Sequence, residues 1–390
     1  MSGIDDAIPR WRSLLRDALA RDGAPGCAVV LVMPDDRHVI CEGRHRADAT
    51  TSIGPDTLFG IGSLSKAFCA TALALLADRG RLRLDDRVTK WLPDYAPRAS
   101  HMRDLASVKD LLAGRTGLSL WDEIPLRLVT DDMRAMTRMA ARLPAREGFR
   151  DQHCYSNAML TTAGVVLETL VGSSWDEAVA QLLLDPLGME RTTARASVIA
   201  ADGDRADHHL LREGRMTPLA WDVYGREAGG PSGGLYSTAS DLGRWIEWQL
   251  GHARLPSGWE PTVCHRPAIV PGAAEAPDWA SVAQRHHVRA IPMGYGLGWH
   301  VHLYRGERLV HHSGGSGGYC AWAGFAPDRG VGAAVLLNGR SGGYLNHAIG
   351  LSAIDLLMGG GPAIDWPSEL AALPRPASIL GKPLDRNLAG

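Results

Sequence analysis

The chain has 390 residues and a formal net charge of −2, with 45% hydrophobic and 22% charged residues. This is the makeup of a soluble globular protein with room for a large core and two or three domains. Acidic and basic residues nearly cancel and no arginine-rich run is interleaved with aromatics, which argues against nucleic acid as a partner. No uninterrupted apolar run reaches about 18 residues, so neither a spanning helix nor a membrane partner is expected.

In chain order, residues 4–21 read as an amphipathic helix that ends before Gly23, Pro25 and Gly26. It lacks the apolar centre and small-residue cleavage site of a secretory signal, so a cytoplasmic location is expected. Residues 27–33 predict a buried strand, and residues 37–43 its partner across the Pro34-Asp35-Asp36 turn. Thr57 to Gly60 predicts a short extended segment. From Leu64 to Arg79 apolar residues recur at helical spacing, and Gly80 stops the helix. Helical patterns dominate the middle, most clearly at 108–112, 133–141, 157–171 and 174–184. Another helix is expected over 237–250, capped by Ser237 or Thr238. The proline-rich stretch 253–293 predicts a long loop. Strand-like runs follow at 296–304, 308–311, 319–325 and 331–337, separated by turns that suggest an antiparallel meander. A last helix is expected over 345–358.

Strands at both ends with helices between them imply an α/β (α+β) protein. Its expected organisation is a discontinuous α/β lobe from residues 1–85 and 230–358, an inserted helical lobe over 86–229, and a proline-rich tail over 359–390. The six cysteines (27, 41, 69, 154, 264 and 320) are scattered with no C-x-x-C pair, and read as reduced thiols.

The most informative local feature is Ser63-Leu64-Ser65-Lys66. Lysine is scarce, with only Lys66, Lys90, Lys109 and Lys382 among the 41 basic residues. Burial or a neighbouring cation can push a lysine amine toward neutrality, which arginine resists. Ser63 and Lys66 stand at i and i+3, so one helical turn places both on one face. A serine hydroxyl is a poor nucleophile unless a base takes its proton, and a desolvated lysine can serve. By itself the pattern fits a helix cap and a surface lysine equally well.

Two further motifs change that balance. Tyr155-Ser156-Asn157 opens the 157–171 helix, and Val310-His311-His312-Ser313-Gly314-Gly315 ends a strand of the late meander. In this order and spacing, the three resemble the active site of penicillin-recognising serine enzymes. The resemblance is to the serine β-lactamase-like family, in particular the class C β-lactamase-related branch of esterases, D-peptidases and transacylases. Its sister pattern is S-x-x-K, S-D-N, K-T-G. It covers about residues 24–356 and is supported by Pro186-Leu187-Gly188-Met189, Gly233-Gly234-Leu235-Tyr236-Ser237-Thr238-Ala239 and Gly294-Tyr295-Gly296-Leu297-Gly298-Trp299. One departure is Leu111-Leu112-Ala113-Gly114-Arg115-Thr116-Gly117-Leu118, where relatives often read Leu-Leu-Ser-His-Thr-Ser-Gly-Leu.

The resemblance implies a β-lactamase/transpeptidase-like fold, in which terminal helices flank an antiparallel sheet and a mainly helical lobe is inserted. It implies that Ser63 is the acylated nucleophile and Lys66 the base or its proton partner. Tyr155 would relay the proton, and Asn157 would bind the acyl portion of the substrate. His312 would stand beside Tyr155 where many relatives have lysine, with Gly314 and Gly315 on the oxyanion side. The expected partner is a small-molecule or peptide acyl substrate, with water or an amine as acceptor and no cofactor or metal.

Competing signals are cheaper. Gly230-Pro231-Ser232-Gly233-Gly234 and Gly314-Gly315-Ser316-Gly317-Gly318 match the G-x-S-x-G elbow, which requires a strand, a sharp turn and an immediate helix. An α/β-hydrolase using Ser232 is therefore one alternative, and a catalytically silent binding protein another. His300 and His302 share a strand face and could ligate zinc, but no H-E-x-x-H or cysteine cluster supports them. Trp121, Trp221 and Trp299 are candidates to line an apolar acyl pocket.

Overall fold

The computed structural model describes residues 2–123, 126, 129–145, 148–220, 230–271, 278–341, 343–359 and 364–373. In chain order its strands are β1 (Gly26–Val32), β2 (Arg37–Gly43), β3 (Phe59–Gly60), β4 (His209–Arg212), β5 (Arg215–Pro218) and β6 (Tyr236–Ser237). They continue with β7 (Ala290–Tyr295), β8 (His300–Tyr304), β9 (Glu307–Ser316), β10 (Tyr319–Ala326), β11 (Val331–Leu337) and β12 (Gly339–Arg340). Seven form one sheet in the order β2-β1-β11-β10-β9-β8-β7, and every neighbouring pair in it is antiparallel.

β1 is buried at all seven positions, as a strand must be when both faces of its sheet are covered. Alternation divides its side chains between two cores. Ala28, Val30 and Val32 point to one side and pack with Leu64, Phe68 and Leu75 of the serine–lysine segment and with Trp245. Cys27, Val29 and Leu31 point to the other, where Trp11 and Leu15 of the first helix meet Ile349 and Ile354 of the Leu345–Met358 helix. The first helix is also tied to β2, since Arg12 and Arg16 both donate to Glu42. The structure is a mixed α/β, β-lactamase/transpeptidase-like fold.

Most expected elements appear with ends shifted by a residue or two. The first helix spans Ser2–Asp22, and Asn157–Val171 and Leu345–Met358 match. Thr238 caps the Ala239–Gln249 helix by accepting from the Asp241 amide at 3.1 Å.

Three expectations are corrected. The loop expected over 253–293 contains a 3-10 turn at Pro261–His265, a helix at Asp278–Arg285 and the edge strand β7. Pro261 stands at the first turn, where a missing N–H costs nothing. Pro292 is tolerated in β7 because the strand lies at the sheet edge, and the register shifts between Pro292 and Gly294. The strand expected from residue 296 begins only at His300, because the Gly296 amide closes a turn onto the Trp299 carbonyl at 2.8 Å. In the proline-rich tail, Trp366–Ala371 is helical. Trp366 is fully buried and donates its indole N–H to Asp355 at 2.9 Å, while residues 374–390 lie outside the described part.

Candidate active site

Ser63 belongs to a 3-10 turn, Gly62–Leu64, that runs directly into the Ser65–Asp78 helix. The sequence had placed it at the α-helix start itself, but the tighter turn keeps Ser63 and Lys66 on one face. Ser65 locks the turn from behind, donating to the Gly62 carbonyl at 2.7 Å and accepting the Leu235 amide at 3.0 Å.

Lys66 is 1% exposed. An isolated ammonium so far from water would cost several kcal/mol, so its partners matter. It donates to Ser63 Oγ at 2.8 Å, Asn157 Oδ1 at 2.7 Å and the Ser232 carbonyl at 2.7 Å. Three N–H bonds thus have three oxygen acceptors. Tyr155 reaches the same hydroxyl from the other side, its phenol O–H donating to Ser63 Oγ at 2.6 Å. The Lys66 Nζ lies 4.8 Å from the Tyr155 ring centroid, which adds a cation–π contact. Ser63, Lys66, Tyr155 and Asn157 therefore form one hydrogen-bonded group.

β9 forms the opposite wall. It passes so close to the serine that a Cβ on Gly314 would stand 1.9 Å from the Ile61 carbonyl oxygen and 3.2 Å from the Ser63 amide nitrogen. The amide nitrogen of Gly315 lies 2.5 Å from where a Gly62 Cβ would project. Only glycines let these two backbones approach so closely, bringing the Gly315 amide against the Gly62–Ser63 turn.

His312, on β9, is buried, and its ring centroid is 6.2 Å from that of Tyr155. Its Nδ1 lies 2.6 Å from the Ser313 carbonyl. A carbonyl only accepts, so the proton sits on Nδ1 and Nε2 carries the lone pair. Burial, together with the positive charge of Lys66, pushes this imidazole down to about 3. It is a neutral group at ordinary pH.

Several contributors carry no sequence signal. Glu123, 2% exposed, accepts the Asn157 amide at 2.6 Å, the Ala158 amide at 2.8 Å and the Ser156 hydroxyl at 2.7 Å. Ser232 contributes its backbone carbonyl, an atom that no residue pattern encodes. His153 stacks on Tyr295 with centroids 4.1 Å apart and meets Tyr155 edge-on at 6.4 Å; its place two residues before Tyr155 was the one available hint. Asp110, wholly buried, is gripped by Arg115 at 2.9 Å and by Arg150 at 2.7 Å, which fastens the loop leading to Tyr155.

The competing signals resolve differently. Ser232 is 1% exposed in the short Gly230–Gly233 helix, and the main sheet is antiparallel, unlike that of an α/β-hydrolase. Ser316 lies within β9 and opens no helix. His302 faces His311, their ring nitrogens 3.0 Å apart, and among the described residues no group of three or more His, Cys, Asp or Glu is arranged to hold a metal. Trp299 is fully buried, its ring edge-on to Phe325 with centroids 5.2 Å apart. Trp221 and the side chain of Trp121 lie outside the described part.

The Beta-lactamase family model matches residues 11–353. Penicillin-binding protein 4 of Amycolatopsis lactamdurans is 26% identical over 342 residues, covering 84% of this chain and 84% of that protein. Unguisins hydrolase ungD' of Aspergillus campestris is 25% identical over 381 residues, 91% of this chain and 67% of that one. Among solved structures, the octameric penicillin-binding protein homologue from Pyrococcus abyssi superimposes with a TM-score of 0.75 at 23% identity, covering 90% of this chain and 77% of that chain.

Proposed function

The chain belongs to the Beta-lactamase family, and on that premise we propose that it is a serine hydrolase or acyltransferase working through an acyl-Ser63 intermediate. The observation that carries this reading is the convergence of Lys66 and Tyr155 on one hydroxyl, at 2.8 and 2.6 Å. The family includes hydrolases, such as the unguisins hydrolase named above.

In the first half-reaction Ser63 Oγ attacks the carbonyl carbon of an ester, thioester or amide. Once the Lys66–Tyr155 pair has given up one proton to solvent, it takes the Ser63 proton in its place, and a C–O bond to the serine forms. The amides of Ser63 and Gly315 receive the developing oxyanion, worth about 2.7–4 kcal/mol per donor. Collapse expels the leaving group, which takes its proton from Tyr155. In the second half-reaction water or an amine gives a proton to the same pair and attacks the acyl carbon; the C–O bond to Ser63 then breaks as the pair returns that proton to Ser63 Oγ. Asn157 holds Lys66 and the acyl portion of the substrate. His312, neutral and with its Nε2 lone pair free of protons, backs Tyr155 without adding a second cation beside Lys66. No cofactor enters the scheme. Esters, D-amino-acid amides or peptides, and the acyl donors of a transacylase all fit it. Six thiols, none in a disulfide, support a cytoplasmic setting.

Incubation with a fluorophosphonate or an activated ester, followed by peptide mapping, tests the reading. Label on Ser63 is the expected result. Label on Ser232, or none under conditions where the protein is folded, would overturn it.

A further inference from the structure

We propose that Glu123 is a positioning residue of this site: its buried carboxylate fixes Asn157, and through Asn157 the amine of Lys66. The inference rests on the reading of Lys66 as the base.

Glu123 comes from the short Leu120–Glu123 helix and reaches the N-terminus of the Asn157–Val171 helix from more than 30 residues upstream. That helix already has its own cap, because Ser156 Oγ accepts the Met159 amide at 3.4 Å. Glu123 takes the donors the cap leaves over. One oxygen accepts the Asn157 amide, and the other accepts both the Ala158 amide and the Ser156 hydroxyl. Among the described residues, the three groups bonded to it are all donors, the set that a carboxylate accepts.

A carboxylate buried solely to stabilise a helix end could act on any residue there. Here the first residue it holds is Asn157, whose side-chain oxygen accepts from Lys66 at 2.7 Å. A single residue therefore separates a buried negative charge from the buried amine. Two effects follow. The backbone of Asn157 is pinned, which sets where Oδ1 meets Nζ. The negative charge one residue from the amine favours its protonated form, so Glu123, with Tyr155 and His312 as the other titratable groups facing Lys66, contributes to the pH at which Lys66 becomes a base.

Glu123→Gln separates these effects from plain stability. A glutamine offers one acceptor and one NH2 group. With its oxygen on the two-donor side, its NH2 opposes the Asn157 amide. The Ser63–Lys66–Asn157 geometry loosens, and the negative charge is gone. Glu123→Asp keeps the charge but withdraws it by one methylene.

The four lysines of this chain make the test direct. In protein labelled with 13C at the lysine ε-carbon, the Lys66 resonance is assigned by its loss in Lys66→Arg and followed through a pH titration. Glu123→Gln is expected to lower the Lys66 midpoint by about one pH unit, while Glu123→Asp leaves it at the wild-type value. Both variants are expected to slow fluorophosphonate labelling of Ser63 by tenfold or more, about what a small misplacement of a catalytic group costs. An unchanged Lys66 midpoint in Glu123→Gln overturns the inference. So does wild-type labelling in Glu123→Asp, the variant that keeps the charge and serves if Glu123→Gln does not fold. A wild-type protein that titrates as described but is never labelled at Ser63 would leave Glu123 in its role and remove the proposed reaction instead.

Discussion

Gly114 and His153 face each other at a distance that admits no side chain between them. A Cβ on Gly114 would stand 2.6 Å from His153 Cδ2 and 2.8 Å from the Cys154 carbonyl oxygen, and the backbone at Gly114 has φ +61°. Where similar chains often carry a histidine in this loop, this one has glycine, and an imidazole from residue 153 occupies the space. The exchange ties the loop to the turn that presents Tyr155, with the Cys154 amide donating to the Gly114 carbonyl at 2.8 Å.

Gly114→Ala should therefore destabilise the fold by about 2–4 kcal/mol, combining a left-handed backbone unfavourable to alanine with overpacking against His153. Thermal denaturation would report the loss. Labelling of Ser63 by fluorophosphonate should slow as well, because Tyr155 lies two residues beyond the displaced ring.

Lys66→Arg keeps the positive charge and removes the capacity to give up a proton. Acylation of Ser63 is expected to fall by about 10²–10⁴-fold, the usual contribution of a general base. Intact-mass spectrometry after incubation with an activated ester reads the adduct. Turnover near wild type would remove Lys66 from the chemistry.

Tyr155→Phe deletes one hydroxyl and little else. Its hydrogen bond to Ser63 disappears while the ring contacts with His153 and His312 remain. The melting temperature should hardly move, whereas kcat should drop by about 10²-fold or more. Equal losses in stability and rate would instead mark Tyr155 as a packing residue.

Buried neutral histidines make the fold sensitive to acid. Burial pushes His265 and His312 down to about 3 and His302 down to about 4. The unfolded chain binds these protons near 6.5, the folded chain only far lower, so stability rises with pH across that interval. It is complete above about pH 6.5 and lost as the pH falls toward 4. The slope is about 1.4 kcal/mol per pH unit for each histidine. Denaturant midpoints measured between pH 7.5 and 4.5 should decline accordingly. A flat profile would mean that these imidazoles become protonated without unfolding.

How much of this was legible beforehand depends on what kind of information each part requires. Ser63 and Lys66 were readable because one helical turn fixes their relation locally, and Tyr155-Ser156-Asn157 because side-chain identity carries it. Glu123 was not, since only tertiary packing brings it to residue 157. Nor was the Ser232 carbonyl, a backbone atom common to every residue type. The misread loop over 253–293 shows the same limit. Its prolines signalled irregularity correctly at the 3-10 turn, but Pro292 sits in a strand that tolerates it only because it has one neighbour. Trp299 looked like a pocket residue by composition, and its complete burial against Phe325 is decided by how the turn before β8 packs on β10.

The pairing of β1 with β11, Cys27 opposite Leu337, has a consequence for biosynthesis. β1 has half of its hydrogen bonds waiting on a strand that leaves the ribosome about 300 residues later, so the sheet cannot close until residue 337 has been made. Such long-range closure makes folding slow and leaves an apolar strand uncovered meanwhile. A nascent chain halted before residue 331 should bind chaperones and show no reactive serine, however well its early helices have formed.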